Sequence, residues 1–272
     1  MNHTELQDWV RTEMRSNQDF SSNFNASDLT KVLTCIDLTT LHANDSPASV
    51  NAFVVNGLKL LKKNNRDKVA AICVYSNFTA EVSKLLKGSE ISTACVAASF
   101  PHGQANLESK VLEVANAAKA GADDIDVVIN RGMVLDNDYE SLGKEIKAFA
   151  NAAGKAHLKV ILEVCELNLE QVYLAAMVVM ENGADFIKTS TGKGVSGASI
   201  EASLVMCLAI KDHFFNSQKM VGFKAAGGIS SSSDAMQYWN LVQHVLGNNW
   251  MNKRYFRIGA SSLLKNIIAD LT

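Results

Sequence analysis

The sequence predicts an α/β protein, a (β/α)8 TIM barrel with a short N-terminal helical extension over residues 1–30. Three observations carry that expectation. Eight short apolar runs alternate with amphipathic stretches of helical period. The runs are rich in Val and Ile without strict polar alternation, as suits parallel strands buried on both faces. The 272 residues hold eight βα units with no linker or low-complexity tract, so 1–272 reads as a single barrel domain. An open doubly wound sheet is the alternative architecture for such a pattern.

The units follow one another along the chain. After the N-terminal segment, "VLTCIDLT" (32–39) reads as a buried strand and "SVNAFVVNGLKLLKK" (49–63) as its helix. "VAAICVYS" (69–76) precedes a helix beginning "TAEVSKLLK", and "STACVAASF" (92–100) precedes "NLESKVLEVANAAKAG". The fourth pair is "DDIDVVIN" (123–130) with "YESLGKEIKAFANAAG", and the fifth "LKVILEV" (158–164) with "LEQVYLAAMVVMENG". "DFIKTS" (185–190) leads into "ASIEASLVMCLAIKDHF", and "KMVGFKAAG" (219–227) into "SDAMQYWNLVQHVLG". The last strand, "RYFRIG" (254–259), leads into "SSLLKNIIADLT".

Composition excludes several function classes. A formal net charge of −2 argues against bulk attraction to nucleic acid or an anionic membrane. No run of about 18 apolar residues suggests a membrane span, and the first twenty residues have no apolar signal-peptide core. The five cysteines, an odd number without C-x-x-C spacing, read as reduced thiols packed as small hydrophobes. A cytoplasmic location is therefore expected. The six histidines have no ligand spacing, so neither a metal nor another cofactor is expected.

Charged residues inside the apolar runs are the chemical signal. "GADDID" (121–126) and "GADFIK" (183–188) share a helix-ending Gly-Ala-Asp, which fits a glycine C-cap and a short entry into a strand. Aligned on it, Asp126 and Lys188 fall at the same step of strands four and six. Alternate strands of a barrel contribute to the same inward layer, and strand seven offers Lys224 one unit later. All three can point into the upper mouth. Snorkelling lysines with ordinary ion-pair partners, Asp126 and Glu163, are the plain alternative.

Two lysines beside a carboxylate permit amine chemistry. At an ordinary pKa of ~10.4, only about 0.04% of a lysine is neutral at pH 7. A second cation and partial desolvation disfavour protonation and free the amine to attack a carbonyl. The resulting Schiff base is an electron sink for making or breaking an adjacent C–C bond, and a carboxylate can relay the protons. Phosphate is the second theme: "TGKG" (191–194), "AGG" (226–228) and "GASS" (259–262) each follow a late strand. The last two precede helices whose first N–H groups can receive an anion. Cys73, near the same mouth, reads as core.

At these residues the chain resembles a known family. "CIDLTTL", "AAICVY", "FPHG", "GADDIDVVIN", "ADFIKTSTGKG", "VGFKAAGGI" and "FRIGASSLL" together closely resemble the 2-deoxyribose-5-phosphate aldolases, in family order from about residue 32 to residue 264. The resemblance implies a class I aldolase that reversibly cleaves 2-deoxy-D-ribose 5-phosphate to D-glyceraldehyde 3-phosphate and acetaldehyde without a metal. It implies small phosphorylated-sugar and acetaldehyde partners, and a homodimer is expected. Carried over by motif, Lys188 looks like the Schiff-base lysine. Lys224 looks like the cation that keeps it reactive, and Asp126 like the proton-relay carboxylate. Asp37 matches an aspartate near the substrate hydroxyls. Thr191, Gly192, Lys193, Gly227, Gly228, Gly259, Ser261 and Ser262 match segments that surround substrate and phosphate. Two departures stand out: Ala225 replaces a proline common after the second lysine, and "ADLT" ends the chain without the tyrosine-ended tail of some members. "NRGMVL" (130–135) carries nothing over.

Overall fold

Eight strands close into a barrel in chain order: β1 Ile36–Thr39, β2 Ala71–Tyr75, β3 Ser92–Ala97, β4 Asp124–Val128, β5 His157–Ile161, β6 Phe186–Lys188, β7 Gly222–Ala226 and β8 Phe256–Ala260. Each pairs in parallel with the next, and β8 pairs with β1. This is the expected (β/α)8 architecture, seen in a computed structural model that describes residues 3–20, 24–66 and 68–272, Asp19 by its backbone alone.

Among the described residues eleven α-helices accompany the strands. They are α1 His3–Ser16, α2 Ala26–Leu33, α3 Pro47–Lys63, α4 Thr79–Leu85, α5 Leu107–Lys119, α6 Arg131–Leu135, α7 Tyr139–Ala153, α8 Leu169–Glu181, α9 Ile200–Ser217, α10 Ser232–Leu246 and α11 Leu263–Asp270. Local chemistry starts most of the outer ones. Ser46, Asn106, Asp138, Asn168, Ser199 and Ser231 each accept the backbone N–H three residues on, satisfying a donor that has no partner within the helix. Residues 1, 2 and 21–23 of the expected extension lie outside the described residues. Its described part is helical: α1 packs on α8 and α9, and α2 on α10 and α11. Leu6, Val10, Leu29 and Val32 join the same apolar core as the strands.

Several expected strand limits shift. The run beginning at Val32 serves two elements: Val32 and Leu33 close the buried face of α2, and β1 begins only at Ile36. β3 stops at Ala97 because Ala98 and Ser99 turn left-handed, φ 60° and 57°. β5 stops at Ile161, two residues before Glu163 adopts φ 56°, ψ 60°. "RGMVL" forms the short helix α6, capped by Asn130. The changes after β3, β4 and β5 crowd the carboxyl ends of the strands, where a barrel builds its site.

Candidate active site

Strand register assembles the charged residues. Lys188 pairs with Lys224 across β6 and β7, Asp126 with Lys159 across β4 and β5, and Lys224 with Arg257 across β7 and β8. Lys188 Nζ and Lys224 Nζ both lie 2.7 Å from the same oxygen, Asp126 Oδ2. Lys224 also lies 2.5 Å from Asp37 Oδ2. Beneath them, Lys159 reaches Asp124 at 2.6 Å, and the Arg257 guanidinium bridges Asp37 and Asp124 at 2.6 and 3.1 Å. Every one of these side chains is buried.

The electrostatics divide the lysines. Burial alone would raise the Asp37 carboxyl, but Lys159, Lys224 and Arg257 outweigh it and hold it well below the usual carboxylate range. Asp126 is likewise depressed: Lys188, Lys224 and Lys159 overcome its burial. Burial opposes the Lys224 ammonium, yet the Asp126 and Asp37 carboxylates more than offset it and hold its pKa above the ordinary lysine value. Lys224 is thus a fixed cation. Three carboxylates (Asp37, Asp124, Asp126) face three cations (Lys159, Lys224, Arg257) in one network, and their charges cancel. Lys188 is the base left over. Its amine shares the Asp126 oxygen with Lys224 and has no carboxylate of its own.

Lys188 is also the member of this cluster that reaches a cavity wall. It lines a cavity of about 450 Å³ at the carboxyl end of the barrel, together with Thr191, Gly192, Lys193, Gly227, Gly228, Gly259, Ser261 and Ser262. Lys224, Asp126 and Asp37 lie beneath that wall, fully buried. Asp126 Oδ1 makes no hydrogen bond and stands 4.0 Å from the Lys159 ammonium. The Thr191 hydroxyl and N–H are already committed to Glu163. At the far wall α10 caps itself through Ser231 and Asp234, whereas α11 begins at Ser262 with no side-chain cap. The first N–H groups of α11 are therefore the better anion receiver. Close approach of two loops shapes the same wall: a Cβ on Gly197 would stand 2.1 Å from the Gly227 carbonyl oxygen. A groove of similar size between residues 76–77 and α5 holds no comparable cluster.

A match to the family model of the DeoC/LacD family aldolases spans residues 31–265. The chain belongs to the DeoC/LacD aldolase family. It is 41% identical over 267 residues to the deoxyribose-phosphate aldolase of Homo sapiens, covering 94% of this chain and 84% of that protein. The enzyme of the same name from Bos taurus is 40% identical over 267 residues, with the same coverage. Among solved structures, QR15, an aldolase, matches at a TM-score of 0.72 and 27% identity over 88% of this chain and 95% of that one. The deoxyribose phosphate aldolase from Aeropyrum pernix, a tetramer, shares the fold at a TM-score of 0.69 and 23% identity, covering 91% and 98%.

For a DeoC/LacD aldolase the working group is an amine, and the structure brings Lys188, Lys224 and Asp126 into direct contact, with Asp37 against Lys224. Sequence reasoning passed over Lys159, Asp124 and Arg257. Their signal was a charged side chain inside an apolar strand at the inward step, as in "LKVILEV" and "RYFRIG". Cys73 packs in the barrel interior near the cluster, and burial first, then Asp126, pushes its thiol up to about 11, which leaves little thiolate at neutral pH. No group of three His, Cys, Asp or Glu among the described residues is placed to hold a metal ion.

Proposed function

We infer that this aldolase reversibly cleaves 2-deoxy-D-ribose 5-phosphate to D-glyceraldehyde 3-phosphate and acetaldehyde through a Schiff base on Lys188. The observation that carries the reading is the amine of Lys188, the surplus base of a charge-balanced cluster and the one open to the cavity. The identity to curated deoxyribose-phosphate aldolases over most of the chain supports the substrate.

The steps follow from the groups at hand. The neutral Lys188 amine adds to C1 of the open-chain sugar, and loss of water with uptake of one proton from solvent gives a protonated imine. Asp126, through a water, accepts the proton of the C3 hydroxyl. The C2–C3 bond breaks, its electrons pass into the imine, and glyceraldehyde 3-phosphate (C3–C5) leaves. The remaining enamine takes a proton at C2, and hydrolysis of the imine releases acetaldehyde. Lys224 stays charged throughout and holds Asp126 in place. The phosphate rests on Gly192, Lys193, Gly227, Gly228, Ser261 and Ser262, which line the far wall.

A homodimer is the proposed assembly, because two-fold dimers are the commonest closed oligomers of soluble chains; light scattering decides between it and a tetramer. A cytoplasmic location is proposed because the five cysteines are free. No helix among the described residues is long and apolar enough to cross a membrane. A coupled assay for glyceraldehyde 3-phosphate release from deoxyribose 5-phosphate, with EDTA present, tests the activity. Turnover in the wild type and its loss in Lys188→Ala support the reading, and intact activity in that variant contradicts it.

A further inference from the structure

Just past β5 the backbone does something that stability alone does not ask for. Leu162 N–H donates to the Lys188 carbonyl and Val164 N–H to the Thr189 carbonyl, so two alternate residues meet two successive carbonyls of the β6 segment. Glu163, between them, is bulged out of the ladder in the left-handed region, φ 56° and ψ 60°. A non-glycine residue there carries strain, and such strain gathers where a side chain must be aimed.

The side chain so aimed is a fully buried carboxylate. Its Oε1 accepts the Thr191 N–H at 3.2 Å, and its Oε2 accepts the Thr191 hydroxyl. The Thr191 oxygen in turn accepts the Lys193 N–H at 3.0 Å. One carboxylate thereby fixes three consecutive residues whose other groups line the cavity. Arg131 balances it from the rim: its guanidinium stands 3.7 Å from Glu163 Oε2, 3.0 Å from Glu166 and 3.3 Å from the His102 carbonyl. Gly194 closes over the carboxylate, where a Cβ would stand 3.4 Å from Glu163 Cδ.

We propose that Glu163 is a positioning residue for phosphate recognition, holding the Thr191–Lys193 turn in the shape that grips the phosphate of the substrate. The inference rests on the substrate reading given above. Glu163 touches no reacting atom. It acts through Thr191, so its removal loosens the grip on phosphate and leaves the Lys188 chemistry intact.

Two variants test this. Glu163→Gly adopts the left-handed backbone without strain and removes the whole side chain, the carboxylate with it. Glu163→Gln keeps the shape and one acceptor oxygen, and carries the test alone if the glycine variant fails to fold. Calorimetric titration with inorganic phosphate should show affinity weakened about tenfold or more in Glu163→Gly, and by less in Glu163→Gln. The KM for deoxyribose 5-phosphate should rise by a similar factor while kcat stays within about threefold. The kcat/KM for unphosphorylated 2-deoxyribose should stay within about threefold of the wild type. Unchanged phosphate affinity in both variants overturns the proposal, as does an equal fall in kcat/KM for both sugars. A wild type that binds phosphate and does not cleave the sugar phosphate defeats the substrate reading alone; the phosphate titration still decides the role of Glu163.

Discussion

Lys188 and Lys224 stand side by side across the β6–β7 ladder and place both amino groups 2.7 Å from one oxygen of Asp126. They are not equivalent. Lys224 is clasped a second time by Asp37 and lies below the cavity, whereas Lys188 reaches the cavity wall. The arrangement assigns the fixed charge to one and the chemistry to the other.

Removing the fixed charge should have two separable consequences. Lys224→Met leaves Asp37 and Asp126 facing each other without their shared cation, which costs about 3–5 kcal/mol of stability. It also leaves Asp126 Oδ2 to Lys188 alone, which draws that amine into an exclusive ion pair and away from substrate. The kcat/KM should fall by about a hundredfold or more. Denaturant unfolding and steady-state kinetics check the two effects.

Acid stability follows from the depressed carboxylates. Asp37, Asp124 and Asp126 all have folded pKa values below the ordinary range: cations, Lys159 foremost for Asp37 and Asp124 and Lys188 for Asp126, outweigh the cost of burial. Their contribution is therefore complete above the unfolded carboxylate pKa of ~3.9 and is lost as pH falls through the lower folded values. Tm should stay nearly level from about pH 7 to about pH 5 and drop steeply below about pH 4. Arg257→Met should lower Tm at neutral pH and flatten that drop, because the guanidinium bridging Asp37 and Asp124 is gone. A Tm that rises as pH falls below about 4 would refute the account of the cluster.

Loop packing makes a third test. Ala198 N–H donates to the Ala226 and Gly227 carbonyls, which draws Gly197 against Gly227. Gly197→Ala must part the loops after β6 and β7, at a cost of about 1–3 kcal/mol. The KM for the phosphorylated sugar should rise more than kcat falls, as read from steady-state kinetics.

Legibility differed between strands and site for physical reasons. Doubly buried strands must be apolar throughout, so β2, β3 and β4 stood out in sequence, whereas the Val32–Thr39 run concealed a boundary because helix end and strand are equally buried. The Gly-Ala-Asp echo placed Asp126 and Lys188 on one inward layer, and the ladder joined Lys224 to them. Lys159, Asp124 and Arg257 were invisible as a set because their partners lie one or more strands away and meet only when the barrel closes. Glu163 was legible only as a charged residue that could pair a lysine; it bonds Thr191, 28 positions on, because a bulge aims it there and strand alternation gives no sign of a left-handed residue.

The most direct measurement is borohydride reduction of the enzyme with deoxyribose 5-phosphate or acetaldehyde, followed by peptide mass spectrometry. A two-carbon adduct from acetaldehyde, and a reduced sugar-phosphate or two-carbon adduct from the sugar phosphate, should appear on Lys188 and be absent from Lys188→Ala. A stable adduct on Lys224 with Lys188 unmodified, or full turnover with no trapped amine, would contradict the account.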